Sequence, residues 1–86
     1  MRKSIVTIYS RPGCRLCDEA KANIIAAGCD DLFSLEEINI DDDEQLQERY
    51  RHEIPVVLIN GIKAFKYKVD AAEFRKKLRR LAHAEK

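Results

Sequence analysis

The sequence has no long apolar run, no internal repeat and no low-complexity tract. Crossing a bilayer takes about 20 consecutive apolar residues, so no membrane-spanning helix and no membrane partner are predicted. Met1-Arg2-Lys3 leads into a strand-like segment and not into a signal peptide, which makes the cytoplasm the expected location. With no linker among its 86 residues, the chain is expected to form a single domain spanning 1–86.

Cysteine, proline and glycine are scarce, with three, two and three residues respectively. Three unevenly spaced cysteines cannot form a disulfide framework, so a domain of this size must rely on its hydrophobic core. Glycine and proline occur singly where turns are expected. The paired thiols Cys14 and Cys17 are therefore candidates for chemistry or metal binding in a reducing compartment.

Neither sign of charge dominates, with 16 basic and 15 acidic residues, and 45% of the residues are hydrophobic. This composition is typical of a globular protein with a densely charged exterior. The distribution is uneven, because residues 1–61 carry 7 basic and 12 acidic side chains and residues 62–86 carry 9 and 3. The cations Arg75, Lys76, Lys77, Arg79 and Arg80 are interpreted as the solvated face of the last helix, and no nucleic-acid partner is predicted.

The apolar pattern predicts alternating strands and helices in the order β-α-β-α-β-β-α. The first half of the chain is predicted to form a strand over 4–9, a helix over 14–27 and a strand over 33–40 with a bulge or an early end. A short helix with Leu46 and Tyr50 on its buried edge follows, and then a hairpin of 56–59 and 62–65 around Asn60-Gly61. The last helix is predicted to be capped by Asp70 and Glu73 and to carry the apolar stripe Phe74, Leu78, Leu81 and Ala82. The predicted fold is α/β, a four-stranded mixed sheet flanked by three helices.

Cys14 and Cys17 open the first predicted helix three residues apart, so one helical turn brings them onto one face. That spacing suits a disulfide, whose Cα atoms lie about 5.5–6 Å apart. A helix N-terminus carries about half a positive charge and unpaired N–H groups, which favour thiolate over thiol. We therefore predict that Cys14 is the nucleophile, with smaller help from Arg11 and Arg15, and that Cys17 is the shielded resolving thiol.

A cysteine pair at this spacing is also half of a zinc site. The other ligands are hard to find, because His52 and His83 lie in different elements and Cys29 would lie about 18 Å along the helix. A dithiol that opens the first helix of a β-α-β unit favours redox chemistry. Three hypotheses stay open: a redox carrier without bound cofactor or metal, a non-catalytic binding or scaffold domain, and a zinc-binding module.

Residues 9–17, followed by Ile54-Pro55-Val56 and Asn60-Gly61, resemble the glutaredoxin-like branch of the thioredoxin superfamily over nearly the whole chain. The resemblance implies a thioredoxin/glutaredoxin-like fold and thiol-disulfide oxidoreductase activity. It also implies that Pro55 is a cis-proline beside the dithiol and that the Ile54 backbone pairs with an extended substrate or glutathione. Together with Arg11, these are the expected substrate-binding residues.

Glutathione-using members of that branch carry a Gly-Gly pair after the hairpin and two acids at the start of the last helix. The matching stretch here, residues 64–70, is bulky and basic with one acid. The expected electron donor is therefore either glutathione or a thioredoxin-type reductase, and the expected partner is a disulfide-containing protein. Lys63, Lys66 and Lys68 are expected near the rim of the active site, which suggests an acidic substrate protein. The chain is expected to be a monomer.

Cys29 follows Gly28, which is predicted to end the first helix in the left-handed conformation. We expect Cys29 to pack onto Ile24 in a structural role, the alternative being a surface thiol open to glutathionylation or dimer formation. His52 and His83 have no partner by spacing and are interpreted as solvated.

Overall fold

The computed structural model describes residues 3–29 and 31–84, with side chains described as far as residue 81. In chain order its elements are β1 (Ser4–Ser10), α1 (Arg15–Ala26), β2 (Phe33–Asn39), a 3-10 turn (Ile40–Asp42), α2 (Glu44–Tyr50), β3 (Val56–Ile59), β4 (Ile62–Lys66) and α3 (Ala71–Ala84). The predicted fold class is confirmed, since four strands form one mixed sheet with three helices. Within this part of the chain no helix is long and apolar enough to cross a bilayer.

The strand order in the sheet is β2-β1-β3-β4. β1 and β2 run parallel, joined through α1, and β3 is antiparallel to both of its neighbours. Consequently β1, β2 and β4 all finish at one end of the sheet, and β3 begins there. We call this end the dithiol end, because the loop from β1 to α1 lies there.

One face of the sheet carries the main hydrophobic core. Val6 and Ile8 of β1 lie opposite Ile59 and Val57 of β3, and all four are fully buried. The helices α1 and α3 add the buried side chains Ala20, Ile24, Phe74 and Leu78, with Leu81 packed at the margin. Each large side chain buried in this way contributes about 1.5–3 kcal/mol. Most of the predicted stripe on α3 is thus confirmed; the Ala82 side chain lies outside the described residues.

The short helix α2 lies on the opposite face, where Tyr9 of β1 stacks on Tyr50 at the end of α2. Leu46 and Tyr50, the predicted buried edge of this helix, are only half-buried. Farther along the same face, Ile5 is 51% exposed. The cover on this face is therefore partial and is confined to the dithiol end.

The strand predicted over 33–40, with a bulge or an early end, ends one residue early at Asn39. β2 pairs with β1 along its whole length without a register shift, so the early end is confirmed and the bulge is not observed in these described residues. The apolar pattern changes phase because Ile40 leaves the strand and is buried in the 3-10 turn, whereas Leu35 remains 39% exposed on the outer strand. The irregularity lies in β4 instead, where Ala64 is an extra residue opposite β3.

The predicted helix ends are close to those observed. The helix predicted over 14–27 is one residue shorter at each end, because Cys14 and Ala27 are its caps. Gly28 follows with φ +71°, the left-handed conformation that favours glycine. At the start of α3, the Asp70 carboxylate accepts the Glu73 N–H at 3.0 Å, which is one half of the predicted capping pair.

Two cations of α3 donate hydrogen bonds to backbone carbonyls of other elements. Arg75 donates from Nε and Nη2 to the Ala27 carbonyl at 3.0 and 2.7 Å, and Lys77 donates from Nζ to the Ala64 carbonyl at 2.7 Å. Arg75 therefore satisfies the C-terminus of α1, and Lys77 satisfies the irregular part of β4. Arg75 is nonetheless exposed, as predicted for a solvated face, whereas Lys77 is half-buried. The prediction is therefore wrong for Lys77 alone of these two, and for both it missed hydrogen bonds to carbonyls that are distant in sequence.

Candidate active site

The loop from β1 to α1 is a tight turn that places a helix N-terminus against Cys14. Gly13 has φ +77°, and the Cys14 N–H donates to the Arg11 carbonyl at 3.3 Å. The Asp18 N–H then donates to the Cys14 carbonyl at 3.2 Å, which starts the helical pattern. The local sequence therefore positions Cys14 as the N-cap of α1.

Cys14 and Cys17 are brought together in an asymmetric pair. The Cys14 Sγ accepts the Cys17 N–H at 3.2 Å, and the two sulfurs form a disulfide with Cα atoms 5.2 Å apart. Cys14 is half-buried, whereas Cys17 is 1% exposed. One sulfur is therefore open to a reaction partner, and the other is shielded.

The cations nearest the dithiol are paired with carboxylates. Arg11 Nη2 lies 3.2 Å from an Asp41 carboxylate oxygen, and Arg15 Nε lies 3.8 Å from Glu19. Paired opposite charges leave little field beyond their immediate surroundings. The backbone N–H groups at the start of α1 are therefore the principal source of positive potential at the Cys14 sulfur.

A charged cluster that the sequence patterns did not predict lies beside the dithiol loop. Glu37 accepts hydrogen bonds from Lys21 Nζ at 3.0 Å and from Ser10 Oγ at 2.9 Å. These two hydrogen bonds hold the pKa of Glu37 below its usual range, and the one from Lys21 has the larger effect. Lys21 follows Cys17 by one helical turn, which the sequence reveals, but its pairing with Glu37 depends on the register of β2 against β1.

Ser10, Lys21 and Glu37 of this cluster line a cleft of about 330 Å³. The other lining residues are Arg11, Pro12, Gly13, Asp18 and Asn39. The cleft therefore joins the dithiol loop to the end of β2 and carries charges of both signs.

Pro55 stands immediately before β3, at the same end of the sheet as the dithiol, and is buried. The Ile54–Pro55 peptide bond is cis, as the resemblance implied. The Ile54 N–H donates to the Tyr50 carbonyl at 3.0 Å, and its carbonyl accepts no hydrogen bond from the described residues. Only the carbonyl of Ile54 is thus open for pairing with another chain.

The segment after β4 closes over the start of β3. Tyr67 has φ +71°, an unusual conformation for a residue with a side chain, and is 46% exposed. Its N–H lies 2.9 Å from the Pro55 carbonyl and 3.3 Å from the Glu53 carbonyl. These hydrogen bonds place Tyr67 beside the Ile54–Pro55 turn.

The three lysines predicted near the rim are not equivalent. Lys63 Nζ donates to Glu53 at 2.6 Å, and this hydrogen bond is the main reason that the pKa of Glu53 lies below its usual value. Lys66 Nζ lies 5.5 Å from the centroid of the Tyr67 ring. Lys66 and Lys68 are exposed. Lys63 is therefore engaged within the fold, and the other two present their charges to solvent.

Cys29 and the histidines lie apart from this cluster. Cys29 is buried in the core with Ile24, near the opposite end of α1, as predicted for a structural residue. His52 is exposed, and its Nε2 accepts a hydrogen bond from Arg51 Nε at 3.2 Å; the side chain of His83 lies outside the described residues. Among the described residues, no group of three or more His, Cys, Asp or Glu side chains is arranged to hold a metal ion.

A β2-β1-β3-β4 mixed sheet, a disulfide at the start of the first helix and a cis-proline before β3 together define a thioredoxin-fold protein. More narrowly, the chain belongs to the family described as "Glutaredoxin-like domain (DUF836)", whose model matches residues 5–79.

Similar proteins agree with this assignment. The chain is 36% identical over 75 residues to the "Glutaredoxin-like protein YDR286C homolog" of Dictyostelium discoideum, covering 79% of this chain and 69% of that protein. The X-ray structure of target protein XcR50 from X. campestris has a TM-score of 0.76 at 28% identity, covering 87% of this chain and 96% of that chain. The solution NMR structure of protein Ne2328 from Nitrosomonas europaea has a TM-score of 0.76 at 29% identity, covering 91% of this chain and 94% of that chain.

Proposed function

We propose that this glutaredoxin-like domain is a thiol-disulfide oxidoreductase that reduces protein or small-molecule disulfides through Cys14 and Cys17. The observation that supports this most strongly is the hydrogen bond of 3.2 Å from the Cys17 N–H to Cys14 Sγ at the start of α1. That N–H and the positive end of the helix stabilise negative charge on the Cys14 sulfur. Because the thiolate is the attacking form in disulfide exchange, Cys14 is the proposed nucleophile.

In the reduced protein, the Cys14 thiolate attacks one sulfur of the substrate disulfide. A Cys14–substrate bond forms, the substrate disulfide breaks, and the first substrate thiolate leaves and takes up a proton from water. Cys17 then loses its proton and attacks Cys14 Sγ, which releases the second substrate thiol. Two electrons have passed to the substrate, and the protein keeps the Cys14–Cys17 disulfide. A Cα separation of 5.2 Å lies within the range from which this bond closes.

The substrate segment is proposed to lie along Ile54 and Pro55. An extended chain would donate an N–H to the unoccupied Ile54 carbonyl, a single contact of the β-augmentation type. Arg11 is 45% exposed beyond its pair with Asp41, so it keeps N–H donors for a substrate carbonyl or carboxylate. This arrangement holds a disulfide next to the half-buried Cys14.

Resetting the dithiol takes two electrons from an external donor, either glutathione or a thioredoxin-type reductase, without a bound cofactor. We place the protein in the cytoplasm, where both donors operate under reducing conditions. Within residues 64–70, the stretch that matches the Gly-Gly region of glutathione-using members, Phe65 packs on Phe74 with ring centroids 6.4 Å apart, and Lys77 Nζ lies 4.6 Å from the Phe65 ring. This bulk favours a reductase over glutathione.

The roles of the two cysteines are tested by trapping. With a peptide disulfide, Cys17→Ser should accumulate a stable mixed disulfide at Cys14, seen as an added mass, and Cys14→Ser should accumulate none. Wild-type protein should titrate as a reversible dithiol with a midpoint within about −120 to −270 mV. Turnover is then measured with glutathione alone and with a thioredoxin-type reductase, which identifies the donor.

Other outcomes select the other hypotheses. A metal-free cysteine pair that never forms a disulfide indicates a scaffold domain. Stoichiometric zinc with tetrahedral thiolate ligands in the purified protein indicates a zinc-binding module. Full activity of Cys17→Ser with glutathione as the sole reductant contradicts the dithiol mechanism.

A further inference from the structure

Charge is segregated along the chain more sharply than the net charge of +1 suggests. Residues 31–48 contain eight Asp or Glu and no Lys or Arg, whereas residues 62–81 contain eight Lys or Arg and two Asp or Glu. The first stretch contains β2, and the second contains β4. Because β2 and β4 are the two outer strands of the sheet, the acids that follow β2 and the cations at the end of β4 lie at opposite edges of the sheet, whereas on α3 the cations Arg75 and Arg79 lie beside Asp31.

The topology brings both charged stretches to the reactive end of the sheet. β2 and β4 finish at the dithiol end, and the central strand β1 leads into the Cys14 loop between them. The chain continues from β2 into residues 41–44, which we call the acidic flank, and from β4 into residues 66–68, which we call the basic flank. The dithiol therefore lies between two flanks of opposite charge.

Part of this charge is already used within the fold. On the acidic flank, Asp41 pairs with Arg11, and Asp43 caps α2 by accepting the Gln45 and Leu46 N–H groups. Asp42 and Glu44 are exposed and make no ion pair with any described residue.

The lysines of the basic flank also lack ion-pair partners among the described residues. Lys66 and Lys68 are exposed, and neither makes an ion pair with a described residue. Two unpaired anions and two unpaired cations thus remain on opposite sides of the dithiol.

We infer that the two flanks form a bipolar docking surface for a polypeptide whose cysteine disulfide has carboxylates on one side and cations on the other. The chemical role of this surface rests on the proposed redox function, whereas docking itself needs no electron transfer. Complementary charges accelerate encounter and fix orientation, and the reversed orientation brings like charges together. Since the net charge is near zero, the surface selects the order of charges in the partner and not its total charge.

The test uses two labelled seven-residue peptides of identical composition. One carries three aspartates, a serine in place of the cysteine and three lysines, so that its charges are separated, and the other carries the same residues with aspartate and lysine alternating around the serine. Fluorescence anisotropy measures their binding to the oxidised protein. We expect the peptide with separated charges to bind about tenfold more tightly at low salt, and we expect the difference to disappear at about 0.5 M salt, where charges are screened beyond a few ångströms.

Variants that give both flanks the same sign make the test specific. Asp42→Lys with Glu44→Lys leaves two basic flanks, and Lys66→Glu with Lys68→Glu leaves two acidic flanks, so each variant should lose the preference for separated charges. The fourfold variant that combines these substitutions preserves the net charge and should keep the preference, because a peptide that binds in the opposite direction meets complementary charges again. The control exchanges Asp31→Lys with Arg79→Glu, which lie beside the buried Cys29 and should leave the preference unchanged.

Equal affinity for both peptides at low salt overturns the docking surface, as does a preference that persists unchanged in the variants whose flanks have the same sign. The redox proposal is judged separately with the same peptides carrying cysteine as a disulfide with a neutral thiol. A preference for separated charges without any mixed disulfide at Cys14 would contradict the redox function alone.

Discussion

The rings of Tyr9 and Tyr50 stack with their centroids 4.7 Å apart and their planes inclined by 16°. Tyr9 lies in the central strand just before the dithiol loop, and Tyr50 ends α2. The Tyr50 carbonyl accepts the N–H groups of Glu53 and Ile54 at 2.8 and 3.0 Å. This stack therefore ties the turn before Pro55 to the strand that carries the dithiol.

Removing this stack should loosen the turn. We expect Tyr50→Ala to lower the free energy of unfolding by about 1–2 kcal/mol, less than for a fully buried aromatic residue because Tyr50 is half-buried. The Ile54 amide should exchange with solvent faster than in wild type, as measured by NMR. Tyr50→Phe keeps the ring and should exchange at the wild-type rate. Unchanged Ile54 exchange in Tyr50→Ala would show that the stack does not hold the turn.

Arg75 should contribute to stability although it lies on an exposed helix surface. Its guanidinium donates twice to the Ala27 carbonyl at the C-terminus of α1, and bonds from charged donors are the stronger kind. We expect Arg75→Ala to lower the free energy of unfolding in urea by about 1–2 kcal/mol. Arg79→Ala removes the same side chain from an exposed position and should change it by less than about 0.5 kcal/mol. Equal losses in the two variants would contradict the capping role.

Glu37 should make stability depend on acid pH. Its pKa lies below the ordinary 4.5 because Lys21, and then Ser10, hydrogen-bond to the carboxylate. A lowered folded-state pKa means that this contribution is present above the ordinary value and is lost as the pH falls through the folded value. For a partly exposed pair we expect Glu37→Gln to cost about 0.5 kcal/mol at neutral pH.

The measurement is urea unfolding of wild type and Glu37→Gln at neutral pH and at about pH 2, where the two proteins should be equally stable. Glu36→Gln alters the neighbouring carboxylate, which among the described residues accepts only from the Thr7 hydroxyl, and should change stability by less than about 0.5 kcal/mol at both pH values. A Glu37→Gln deficit that persists undiminished in acid would argue against the carboxylate as its cause.

Burial should set the order in which the thiols react. After the disulfide is reduced, iodoacetamide should modify Cys14 first, because it is half-buried, while Cys17 and Cys29 are 1% and 5% exposed. Urea should accelerate the modification of Cys29 to the rate of an unfolded thiol. Peptide mass spectrometry resolves the three sites. A Cys29 that reacts in the native protein as fast as Cys14 would contradict its structural role.

Local patterns predicted the elements well where neighbouring residues decide the conformation. Asn60 and Gly61 both adopt positive φ, 52° and 83°, and join β3 to β4 as the two-residue turn predicts. Cys14 caps α1 because the short turn through Gly13 places it directly before the first residue of the helix. Apolar periodicity did not predict the burial of Leu35 and Ile40 correctly. Leu35 is exposed because it lies on an outer strand, and Ile40 is buried because it lies in a 3-10 turn beyond the end of that strand.

The cysteine spacing, together with the apolar pattern of the helix that follows, predicted the dithiol, its place at a helix start and the shielding of Cys17. Spacing could not supply contacts between residues far apart in the chain. The pairing of Lys21 with Glu37, the engagement of Lys63 by Glu53 and the capping of α1 by Arg75 all depend on strand register and helix packing. The two charged flanks lie on either side of the Cys14 loop for the same reason, because β1, β2 and β4 finish at one end of the sheet with β2 and β4 as its outer strands.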